Sequence, residues 1–128
     1  NKEYVFTDEM IDVTIETNGE LGMSFEKGNH LGSITCDKSA VGSYPWDDNN
    51  TQFMFEPGDF NPPQAFQHLY NDGLTVSTGS IKITKSGAVG EHIVGTFEIT
   101  NAGSTNTETS AYIGASKITG TFNVKRDH

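Results

Sequence analysis

The feature that most constrains this chain is a seven-residue phrase that occurs twice. Ile93-Val94-Gly95-Thr96-Phe97-Glu98-Ile99 is echoed by Ile118-Thr119-Gly120-Thr121-Phe122-Asn123-Val124, 25 residues later. In an extended chain, successive side chains point to opposite faces. The first residue, the Gly, the Phe and the last apolar residue of each copy therefore share one face. The expectation is two strands, an antiparallel neighbouring pair, with Phe97 and Phe122 in the core. Two copies do not make a solenoid.

The same alternation runs through the N-terminal part. Ile11-Asp12-Val13-Thr14-Ile15-Glu16 reads as a half-buried strand, and Asn18-Gly19 after it is a strong hairpin signal. Met23-Ser24-Phe25-Glu26, a Gly28-Asn29 turn, and His30 to Cys36 complete a predicted three-stranded meander. Gln52 to Glu56 resumes a strand with Phe53 and Phe55 on one face. Further strands are read over Leu74–Thr84, Ile93–Ile99 and Lys117–Lys125. Between them, Asp37–Thr51 is broken by Pro45 and by the Asp47-Asp48-Asn49-Asn50 turn run. Pro57–Gly73 is the least regular stretch, with one helical turn expected over Gln64–Tyr70. Ala102–Ser110 reads as a polar loop. Gly residues inside the strands mark bulges or places where an aromatic ring lies across the backbone.

Composition agrees with this reading. With 128 residues, 14 Gly and no long 3.6-period stretch, the chain fits one all-β domain over 1–128. The fold expected is an antiparallel β-sandwich of about eight short strands, with a small β-barrel as the alternative. The formal charge of −9 and the absence of a Lys/Arg cluster argue against nucleic acid and anionic membranes. The single cysteine, Cys36, excludes an internal disulfide; in its alternating surroundings it is expected to pack as a small hydrophobe. No signal peptide or membrane-spanning segment is read in the chain.

The ordered set Gly42-Ser43-Tyr44-Pro45, Gly79-Ser80-Ile81-Lys82-Ile83-Thr84, Gly95-Thr96-Phe97 and Ile118-Thr119-Gly120-Thr121-Phe122 resembles a family of small secreted or lipoprotein domains of unknown function found in Bacteroidetes. The resemblance covers residues 11–126. It implies a β-sandwich-like domain outside the cell or on the outer-membrane surface, and it carries no catalytic residues. The aromatic-rich Pro57–Gly73 segment departs from the shorter connection usual in that family.

No His-Glu-x-x-His, Gly-x-Ser-x-Gly or phosphate-loop pattern occurs, so no catalytic residues are named and the chain is read as no enzyme; an unrecognised hydrolase stays the remote alternative. The leading expectation is a non-catalytic extracellular or cell-surface binding module, with glycan the first ligand class. Tyr44, Trp46, Asp47, Asp48 and Asn50 bring flat rings next to hydroxyl-binding side chains. Phe60, Phe66 and Tyr70 form a second aromatic group. Against this stands a plainer reading, in which Trp46 plugs one end of the sandwich and the acidic run is a solvated turn. No cofactor is expected; calcium near Asp47 and Asp48 is the one option, although the run lacks the spacing and Gly of an EF-hand loop. The other function class is a structural subunit of an extracellular complex, assembling with a protein partner or as an oligomer through edge strands. There, Lys2–Thr7 would act as a donated or edge strand, or as an ordinary first strand of the sheet.

Overall fold

A computed structural model describes residues 2–47, 51–67 and 76–126. The described residues are all-β and antiparallel and form nine strands: β1 (Ile11–Ile15), β2 (Leu21–Lys27), β3 (His30–Cys36), β4 (Gly42–Pro45), β5 (Thr51–Glu56), β6 (Gln64–Gln67), β7 (Thr78–Ser86), β8 (His92–Asn106) and β9 (Tyr112–Lys125). The sole helical element among the described residues is a 3-10 turn, Asp8–Met10. The sheet runs β1-β2-β3-β5-β6-β8-β7-β4, and β9 pairs with β8.

This one sheet folds into two layers because β8 is shared. Its first part, through Thr100, pairs with β7; its last part, Gly103–Asn106, pairs with β6. The change comes at a register shift between Ile99 and Ala102, where Asn101 sits in the left-handed region at φ 61°. An extra residue in one strand bends it and increases its twist, and such bends let a strand pass from one layer to the other. The result is a β-sandwich.

Period-two burial builds the core in rows. Leu21, Cys36 and Thr51 are register partners across β2, β3 and β5; so are Met23, Ile34 and Phe53, and so are Phe25, Gly32 and Phe55. From the other layer Ile81, Ile83, Ile93, Ile99, Phe122 and Val124 join the same cluster. The Phe53 and Phe97 rings meet between the layers, 5.6 Å between centroids. Cys36 is fully buried, its Sγ 3.6 Å from Thr51 Oγ1.

The repeated phrase pairs as read, with a detail the sequence hid. Gly95 lies opposite Phe122, and Phe97 opposite Gly120. Each phenyl ring lies over the glycine of the other strand, where an added Cβ would collide with it. Phe25 treats Gly32 in the same way, with Cζ 2.6 Å from where that Cβ would be. Such cross-strand coverage of a glycine by an aromatic ring fixes register, because a slip of one residue would bring the ring against a side chain.

Several expectations are corrected. Gln64–Gln67 is strand β6 and not a helical turn: Phe66 is paired with Phe55 on one side and Ser104 on the other, which extends the backbone. The Ala102–Ser110 loop is mostly strand. β8 continues to Asn106 and β9 begins at Tyr112, since ladder bonds to β6 and β9 outweigh the local polarity of Ser and Thr. The seventh strand begins at Thr78, and Leu74 lies outside the described residues. Residues 2–7 belong to no strand, edge or first; they form a strap docked by side chains.

Candidate functional site

Of the eight residues singled out from sequence, the five that are described do not form one site. Trp46 is buried at 9% exposure, its ring edge-on to Phe53 at 6.0 Å, and its Nε1–H donates to the Glu98 carbonyl at 2.8 Å. It is the plug between layers, and its face is not open for stacking. Tyr44 is half-buried on β4, and its hydroxyl donates to the Ala40 carbonyl at 2.6 Å. Burial, with Cys36 and Asp37 nearby, raises its pKa. Asp47 and Thr51 form an antiparallel backbone bridge. Asp48, Asn50 and Tyr70 lie outside the described residues. Phe60 packs edge-on against Phe66 at 5.4 Å, and Phe66 is buried.

The two aromatic groups sit at opposite ends of β5, with Trp46 and Asp47 before Thr51 and Phe60 after Glu56. Asp47 alone of the proposed calcium ligands is described. Among the described residues, no group of three or more His, Cys, Asp or Glu is placed to hold a metal ion.

A different cluster is assembled at the Glu56 end of β5. The Gly58 N–H donates to His30 Nδ1 at 2.9 Å, and Asn29 Nδ2 donates to the Gly58 carbonyl at 3.0 Å. These two bonds tie the turn after β5 to the β2–β3 turn. Because Nδ1 accepts, the ring proton of the neutral imidazole is assigned to Nε2. The tie places Asp59 beside the strap. Tyr4 Oη donates to Asp59 Oδ1 at 2.8 Å, and Lys2 Nζ lies 3.4 Å from Oδ2. The same ammonium stands 4.2 Å above the Phe60 ring. The Tyr4 ring packs edge-on to His30 at 5.1 Å and to Phe55 at 5.0 Å, while Phe6 meets Phe25 at 5.0 Å. Lys27 Nζ donates to the Val5 carbonyl at 3.3 Å.

Between these groups lies an open hollow of about 240 Å³, lined by Glu3, Tyr4, Val5, Lys27, His30 and Asp59. Two of its groups have well-defined protonation. Burial, and then the Asp59 carboxylate that accepts its proton, push the Tyr4 phenol up to about 12. The Tyr4 hydrogen bond, with help from Lys2, holds Asp59 below the usual carboxylate range. At neutral pH the hollow therefore presents a phenol hydroxyl and an ionised carboxylate, with the Lys27 side chain beside them.

Sequence reasoning missed this cluster. Its members come from three separate places in the chain, the strap with Tyr4, the β2–β3 hairpin with Lys27 and His30, and the turn with Asp59, and no spacing links the three. A weak signal did exist: Tyr4 and Phe6 alternate ahead of the first strand, and Pro57-Gly58-Asp59 forms a turn beside it. Among the described residues, no helix is long and apolar enough to cross a membrane. No family model, curated protein or solved structure matches the chain.

Proposed function

We propose that this domain is a non-catalytic binding module of the cell exterior, and that the hollow under the N-terminal strap takes one neutral sugar unit of a glycan. The observation that carries this reading is the joint lining of the hollow by Tyr4, Asp59 and Lys27. A ring face supplies apolar area to the C–H side of a sugar, and the charged groups accept from and donate to its hydroxyls. The volume lies below the roughly 300 Å³ at which pockets for drug-sized ligands begin, so one small polar unit fits better than a long chain. A neutral ligand suits a molecule of charge −9, which repels uronate or sulfate polymers at a distance.

The protonation states support binding over acid–base catalysis. A carboxyl held low does not serve as a general acid at neutral pH, and a phenol near 12 does not serve as a base.

Titration calorimetry against a panel of neutral mono- and oligosaccharides tests this reading. Wild-type protein should bind at least one of them with a Kd near 1 mM or tighter, the range expected of one sugar unit, about −4 kcal/mol. Asp59→Asn and Lys27→Ala should each weaken binding about tenfold. Binding that is unaffected by both substitutions would remove the hollow from the account.

A further inference from the structure

Segments that open without unfolding the rest of a protein have few fully buried side chains and no ladder bonds of their own. Residues 2–7 meet that description. Among the described residues, the one backbone–backbone hydrogen bond that reaches them runs from the Met10 N–H to the Thr7 carbonyl at 2.9 Å, inside the turn that follows. That turn, Asp8–Met10, buries no residue. Tyr4 and Phe6 are half-buried, and the paired Lys2 and Asp59 side chains are 50% and 46% exposed. The strap's contacts also share partners. Lys2 and Tyr4 both hold Asp59, and Tyr4 and Phe6 both meet Phe55. Losing one contact weakens the next, so they break together. The sandwich keeps its own fully buried side chains, Leu21, Ile34, Ile81, Ile83, Ile93 and Ile99, all on ladder-paired strands.

We infer that the strap is a moving wall: it swings away as one unit about the Asp8–Met10 turn while the sandwich stays folded, and the hollow exists only while the strap is docked. The lining makes the consequence direct. Glu3, Tyr4 and Val5 come from the strap; Lys27, His30 and Asp59 come from the sandwich. With the strap away, half of the lining is gone, and Asp59 loses the phenol and the ammonium that face it. A ligand that touches both halves binds the docked form and holds the strap shut. Its apparent Kd rises as the docked fraction falls, so whatever loosens the strap turns the site down. This regulatory role rests on the sugar site proposed above; the movement of the strap does not.

Chymotrypsin, which cuts after Tyr and Phe in freed chain, reads the movement on the full chain. Wild-type protein in native buffer should be cut after Tyr4 or Phe6 at a rate nearly flat in low urea, because strap opening exposes little surface. Cys36 is fully buried, so trapping its thiol with an alkylating reagent reports opening of the whole domain. The opening constant from that reaction should be about a hundredfold smaller and rise steeply with urea. Asp59→Ala removes both Asp59 contacts and should speed the cut about tenfold, with Cys36 trapping unchanged. The saccharide that binds best in calorimetry, at about ten times its Kd, should slow the cut about tenfold. Cutting that climbs with urea in step with Cys36 trapping overturns the inference, and so does a strap that is never cut. A saccharide that binds while the cut runs at full speed overturns the coupling and leaves the sugar site standing. No saccharide binding in calorimetry defeats the sugar site instead, and the urea dependence still decides the strap.

Discussion

At the residue scale, the sandwich depends on three glycines that carry a neighbour's ring. Gly95 and Gly120 are covered by Phe122 and Phe97, and Gly32 by Phe25. Gly120→Ala drives its Cβ into the Phe97 ring, and Gly95→Ala drives it into both the Phe122 ring and the Lys82 carbonyl oxygen, an overpacking cost of about 1–3 kcal/mol. For a domain of this size that lowers Tm by about 4 °C per kcal/mol, read by thermal melting. Gly114→Ala is the control. It sits on the same strand with open space where its Cβ would be, so its change should stay within about 0.5 kcal/mol. Equal losses at all three positions would mean that backbone freedom matters here and ring coverage does not.

At the element scale, the strap is the least conventional part of the fold. Residues 2–7 lie across β2, β3 and β5 with no ladder, held by Tyr4, Phe6 and the Lys2–Asp59 contact. Its contribution to stability should follow the protonation of Tyr4. The folded phenol ionises near 12 and a free one near 10.0. The strap's contribution is thus complete below pH 10 and is lost as the pH rises toward 12, because the unfolded chain gives up the proton first. Melting curves from pH 8 to 12 should show Tm falling more steeply for wild type than for Tyr4→Phe. Parallel curves would contradict the latch. This element also shows where sequence reading stops. Alternation at Tyr4 and Phe6 is the pattern of a strand, and nothing local says that the segment docks without a ladder. The reverse holds at Gly103–Asn106, where polar residues read as a loop and become strand because β6 and β9 supply partners on both sides. Pairing is a tertiary fact, and β propensity follows context.

At the scale of the whole molecule, the strands and the core were legible and the candidate site was not. Period-two burial can be read from residue order alone, so the meander, the pairing of the strands that carry Phe97 and Phe122 and the buried Cys36 all emerged from sequence. The bend at Asn101, which turns one sheet into two layers, has no signature beyond an ordinary polar residue. The hollow draws on Tyr4, Lys27, His30 and Asp59, which only folding brings together. By contrast, the aromatic and acidic run from Tyr44 to Asn50 has the composition of a sugar site, yet its tryptophan is spent on the core. Where ligand lands on the protein is therefore the most direct test of the account. Amide and indole NMR shifts should be followed while a neutral oligosaccharide is titrated in. The account predicts shifts at Tyr4, Lys27, His30 and Gly58 with the Trp46 indole resonance unmoved. Shifts centred on Trp46 and Tyr44, with the strap residues silent, would contradict it.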